Sequence, residues 1–100
     1  MPCVTNIRFS NLKRSEALEE DALKKIHHLE HLYPQMEECN VVIDLPNKQP
    51  TDGMQYEIRL HIMMRGAVVQ IDRQRNTDAY IALHEAFRAA HARLEHLQVS

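Results

Sequence analysis

The residues best suited to chemistry in this chain are its histidines and cysteines. His27 and His31 stand four apart in the run "HHLEH", a spacing that sets two imidazoles on one helix face, as a bound metal needs. No third ligand accompanies them. The zinc-protease pattern is absent too, since it requires a glutamate directly after the first histidine, and Glu30 instead directly precedes His31. Two glycines cannot build a phosphate-cradling loop of the P-loop or dinucleotide-binding kind. Ser10, Ser15 and Ser100 stand in no nucleophile motif. Cys39 and His61 could meet on neighbouring strands, but alternation puts Cys39 with the apolar set and His61 with the polar one. These absences point away from catalysis, from a small-molecule substrate, and from any cofactor or metal. An enzymatic reading survives only through a metal at His27 and His31.

Cys3 and Cys39 are not spaced as CxxC. Two reduced thiols are expected in a cytosolic protein, with a redox pair as the alternative, because both lie near the starts of strands that could be neighbours. The opening "MPCVTNIRFS" lacks the charged-then-apolar pattern of an export signal, so the expected address is the cytoplasm. No apolar run nears the roughly 18 residues of a membrane span.

Charge runs against a simple nucleic-acid assignment. Twelve Lys and Arg face fourteen Asp and Glu, for a net charge of −2. Seven histidines add a second variable: seven protons added to −2 give +5, so mild acid could reverse the sign. An anion-binding surface must therefore be sought in where the charges lie.

The elements that would carry those charges follow from periodicity. Thr5, Ile7 and Phe9 alternate on one face of a first strand. Ser15 suits a helix N-cap, and Glu16, Glu19 and Glu20 suit the positive end of the helix dipole. Leu18, Ala22, Ile26, Leu29 and Tyr33 form one apolar stripe, which Pro34 ends. Cys39, Val41, Ile43 and Leu45 share one face of a second strand, and Pro46 to Gly53 read as a loop. In a third strand Tyr56, Ile58, Leu60, Ile62 and Met64 face one way, while Glu57, Arg59, His61 and Met63 face water. Arg65-Gly66 turns into "AVVQIDR", completing a hairpin. Thr77 or Asn76 would cap a last helix whose Tyr80, Leu83, Phe87, Ala90, Leu94 and Leu97 form the core stripe. Tyr56, Tyr80 and Phe87 are thereby assigned to the interior, which leaves few aromatics for stacking on bases.

The order β-α-β-β-β-α, with one apolar face per element, predicts an α+β fold with a single domain over residues 1–100. It is a two-layer sandwich: a four-stranded mixed sheet with both helices on one face. A right-handed crossover would make the first two strands parallel, and the rest an antiparallel meander.

Projected at about 100° per residue, the first helix segregates its charges. Lys24, His28 and His31 fall on one flank, with His27 at its edge, and Glu16, Glu19 and Glu30 fall on the other. Lys25 sits at the edge of the apolar stripe, where its stem can pack. On the last helix His84, Arg88 and His91 share a flank with Glu95, which can pair with His91, and Arg93 lies on the opposite side. Such flanks are commonly solvated faces, and segregation favours a contact surface.

Four segments together resemble the ribosome hibernation-promoting factor and ribosome-associated inhibitor family. They are "IRF" (Ile7 to Phe9), "HLE" (His28 to Glu30), "VVI" (Val41 to Ile43) and "NTDAYIAL" (Asn76 to Leu83). Each is weak alone, but their order and spacing cover nearly the whole chain. The resemblance implies a fold similar to double-stranded RNA-binding domains. It also implies a non-enzymatic, ribosome-associated role: binding small-subunit ribosomal RNA in the messenger and transfer RNA channel, and inhibiting translation in stress or stationary phase. Family members meet RNA phosphates with basic residues. Lys25 and Arg75 fall at such positions, whereas His28, His31, Ala89, Ala92 and His96 stand where others are basic. Arg88 and Arg93 lie one residue from those alanines, and Asn76-Thr77 replace the "HE" of the usual "HED", leaving Asp78. A chain stopping at Ser100 would be a short form without the dimerisation domain of long members.

The RNA-binding residues expected are Lys24, Lys25, His28, His31, Arg75, Arg88 and Arg93. With histidines among them, affinity would rise as pH falls through about 6.5. The competing expectation, motivated by the acidic balance, is a protein-binding module on the same fold without ribosome contact. Oligomeric state is left open.

Overall fold

The computed structural model describes residues 3–46 and 55–99. The loop expected over Pro46 to Gly53 therefore lies, past Pro46, outside the described residues. The elements are β1 (Val4–Ser10), α1 (Glu16–Leu32), β2 (Met36–Asp44), β3 (Tyr56–Met64), β4 (Ala67–Asn76) and α2 (Ala79–Val99).

Local chemistry sets the ends of α1. The Ser15 hydroxyl accepts from the Leu18 N–H at 3.2 Å, and Arg14 grips Glu19 through bonds of 2.9 and 2.8 Å. That hydrogen bonding holds the Glu19 carboxyl below its usual range. At the other end the Tyr33 N–H closes the helix on the Leu29 carbonyl at 2.7 Å, and Pro34 has no N–H with which to continue it. In the β3–β4 hairpin Gly66 takes the left-handed conformation, φ +84°, that the two-residue turn between Met64 and Ala67 demands.

The sheet order is β1-β2-β3-β4, with β1 and β2 parallel and the other pairs antiparallel. The apolar faces of the strands and of both helices join in one core, in which Ile26, Val41, Ile43, Leu60, Leu83 and Leu94 are almost wholly buried. Both helices therefore lie on one sheet face, as the amphipathic patterns require. Among the described residues no helix is long and apolar enough to cross a membrane.

The last helix departs from expectation in two ways. Its cap is Asp78 and neither Thr77 nor Asn76: the Asp78 carboxylate accepts from the N–H groups of Tyr80 and Ile81 at 2.9 and 3.3 Å. Asn76 acts one step earlier, accepting from the Asp78 N–H at 2.9 Å. The buried face is also rotated. It runs through Ala79, Ala82, Leu83, Ala86, Phe87, Ala90 and Leu94, whereas Tyr80 is 47% and Leu97 41% exposed. Small alanines let the helix backbone approach the sheet closely, so the contact line follows them and turns Tyr80 outward.

The open sheet face holds two nearly buried carboxylates, Asp44 and Glu57, directly opposite one another in the β2–β3 register. Arginines keep them compatible: Arg59 Nη2 reaches Asp44 at 3.1 Å and Arg75 Nη2 reaches Glu57 at 3.5 Å. Asn11 donates a third contact, to Asp44 at 2.8 Å.

Cys3, just before β1 and packed against the core, and Cys39, on the core side of β2, are free thiols. Burial, with a smaller effect of Cys3, pushes the Cys39 thiol up to about 12. Burial, then the nearby Glu30 and Glu38 charges, raise Cys3 as well. Protonated thiols are poor nucleophiles. Iodoacetamide at about pH 8.5, where an ordinary cysteine is half ionised, is therefore expected to modify Cys3 slowly and Cys39 only after unfolding. Mass spectrometry of the intact protein with and without denaturant reads this, and rapid native-state labelling of Cys39 would contradict it.

Candidate nucleic-acid interface

β1 and β4 point the same way, and each is followed by a helix that returns across the sheet. α1 and α2 thus run side by side in one direction, with Tyr33 at the end of α1 meeting His91 edge-on at 5.7 Å. Between them lies an open groove of about 430 Å³. Asp21, Lys24, Lys25, His28 and Leu29 line it from α1, and His84, Phe87, Arg88 and His91 line it from α2. Leu29 and Phe87 are almost buried and present only their edges, so aliphatic stems and charged tips make up most of the walls.

Three permanent cations here face one carboxylate. Asp21 is matched to Lys25 at 3.1 Å, and His91 lies 4.0 Å from Glu95. Lys24 and Arg88 are exposed and have no acidic partner among the described residues. In a chain of net charge −2, Lys24 and Arg88 thus set two uncompensated positive charges on facing walls of one groove.

Of the seven residues expected to touch RNA, the fold brings together Lys24, Lys25, His28 and Arg88. His31 is exposed one turn beyond His28, toward the end of α1. Arg75 is elsewhere, on the open face of the sheet beside Glu57. Arg93 is also elsewhere: its Nη1 donates to the Gln70 carbonyl of β4 at 2.6 Å, beside a shallow patch that includes Val68, Val69 and His96. β4 is an edge strand, and Arg93 covers one of its unpaired acceptors. His84 and His91 join the groove although neither is among the seven. Their signal was present in the sequence, since they flank Arg88 at helical spacing. What it lacked was the knowledge that this flank faces α1. His27 and His31 are both exposed, and no group of three metal-ligating side chains occurs among the described residues.

The model of the family described as Sigma 54 modulation protein / S30EA ribosomal protein matches residues 5–98. The chain belongs to this family. S30EA-family proteins are ribosome-associated and are not enzymes. Two solved structures share the fold. The Thermus thermophilus Protein Y N-terminal domain superposes with a TM-score of 0.78 at 18% identity, covering 96% of this chain and 99% of that one. A ribosomal subunit interface protein from Coxiella burnetii gives 0.78 at 13% identity, covering 97% and 100%. Comparison with curated protein sequences finds no match. At such low identity the backbone is shared while the surface is this chain's own.

Proposed function

We propose that this protein acts in the cytoplasm, binds the small ribosomal subunit through ribosomal RNA, and restrains translation in stress or stationary phase. The observation that carries this reading is the groove in which Lys24 and Arg88 stand without acidic partners, in a member of a ribosome-associated family. Phosphates require cations on a rigid support, and two helices packed on one sheet supply it. Lys24, Lys25, His28 and Arg88 form the contact surface, and His31 extends it along α1.

Co-sedimentation with small subunits across a salt series, at about pH 6 and about pH 7.5, tests this by straddling the ordinary histidine range. Binding is expected at low salt, with a steeper salt dependence at the lower pH as protonated histidines join the contact. Protein that stays entirely in the free fraction at low salt would refute the reading, and would favour a module that engages a protein partner. A salt slope identical at both pH values would remove the histidines from it.

Arg93 separates a binding role from a structural one. Arg93→Ala is expected to leave subunit binding within about two-fold while lowering stability by about 1 kcal/mol, the scale of one lost hydrogen bond. Chemical denaturation and the same sedimentation assay measure the two effects. A large binding loss at unchanged stability would return Arg93 to the contact surface.

A further inference from the structure

The ring of Tyr80 is the one large aromatic surface that the fold leaves unused among the described residues near the groove. It is 47% exposed, in the first turn of a helix whose interior contacts are made by Ala79, Ala82 and Leu83 instead. Its N–H is held by the Asp78 cap at 2.9 Å, so its backbone is anchored. Its hydroxyl has no hydrogen-bond partner among the described residues. Tyr80 stands at i−4 from His84, the first α2 residue of the groove lining, so it lies one helical turn, about 6 Å along the axis, before that wall begins.

Resting on the RNA-binding reading above, we infer that Tyr80 stacks on an unpaired base, so that the groove takes single-stranded rather than duplex RNA. A flat aromatic one turn before a groove that holds Lys24 and Arg88 matches the two surfaces of an unpaired nucleotide: a π-face for the ring, and a phosphate for Arg88 and Lys24 across the groove. In an A-form duplex the base faces are covered, and Tyr80 would meet only sugar and phosphate. Tyrosine also suits the role because few of its torsions must be frozen on contact.

Fluorescence anisotropy with an end-labelled, unstructured RNA of about twelve nucleotides tests this, beside a blunt RNA duplex of equal length. Tyr80→Ala is expected to weaken single-strand binding about ten-fold and duplex binding less than two-fold. Tyr80→Phe should bind as the unaltered protein does. The salt slope should be the same in all three, because the ring carries no charge. Unchanged single-strand affinity in Tyr80→Ala, equal losses for single strand and duplex, or no single-strand binding by the unaltered protein would each overturn the inference. Sedimentation of the unaltered protein with small subunits keeps the two claims apart. If it persists while the Tyr80 variants show no difference, only the stacking fails. If it is absent, the ribosomal reading fails.

Discussion

The double variant Lys24→Glu with Arg88→Glu is expected to lose about 100-fold in affinity for small ribosomal subunits at about 0.1 M salt, and to flatten the salt dependence. Both side chains stand exposed on facing walls of the α1–α2 groove and pair with no carboxylate among the described residues, so reversal breaks no internal ion pair. The loss should therefore fall on binding and spare folding. Neutralisation to Gln at both positions should give a smaller loss of about ten-fold, each cation removed lowering the salt slope by roughly one. The matched control is Arg8→Glu with Arg65→Glu. It changes net charge equally, but on the open sheet face and at the hairpin turn. Charge acting only at long range would make the two double variants equivalent, and equal losses in sedimentation would refute the groove as the contact surface.

Truncation of the core at Leu83 should have the largest effect on stability. Leu83→Ala, at a wholly buried position on α2, is expected to cost about 3 kcal/mol and lower the melting temperature by roughly 15 °C. Since domains of this size hold only about 5–15 kcal/mol, much of the fold's margin would go. Tyr80→Ala, one turn earlier and apparently in the same apolar stripe by spacing, should shift stability by no more than about 0.5 kcal/mol, because its ring is half in water. Thermal and denaturant unfolding of the two variants side by side checks which residues form the interior face of α2. Similar losses in both would mean that Tyr80 is packed after all.

The contrast between these two residues shows where sequence reasoning succeeds and where it stops. Alternation in β2 and β3, and the Leu18 to Tyr33 stripe of α1, read correctly because each places large apolar residues against a polar background. In α2 the spacing is right at Leu83, Phe87, Ala90 and Leu94 and fails at the two ends of the stripe, Tyr80 and Leu97. Ala79, Ala82 and Ala86 complete the buried face instead, and alanine is too weak a hydrophobic marker to reveal that by spacing. Glu57 misled in the other direction. Its place on the wet side of β3 is right, yet it is buried, because Arg75 and its neighbours cover it.

The candidate site divides along the same line. The charged flanks of α1 and α2 follow from helical period alone, since 3.6 residues per turn fixes which side chains share a face. So do the element order and the two-layer architecture, because each apolar face must be covered. Period says nothing about which flank of one helix meets which flank of another. Packing on a common sheet brought Lys24 and His28 opposite Arg88 and His84, left Arg93 to cap the β4 edge, and sent Arg75 to the far side beside Glu57. Those placements depend on contacts between residues 18 or more positions apart, and such contacts leave no local mark on a chain.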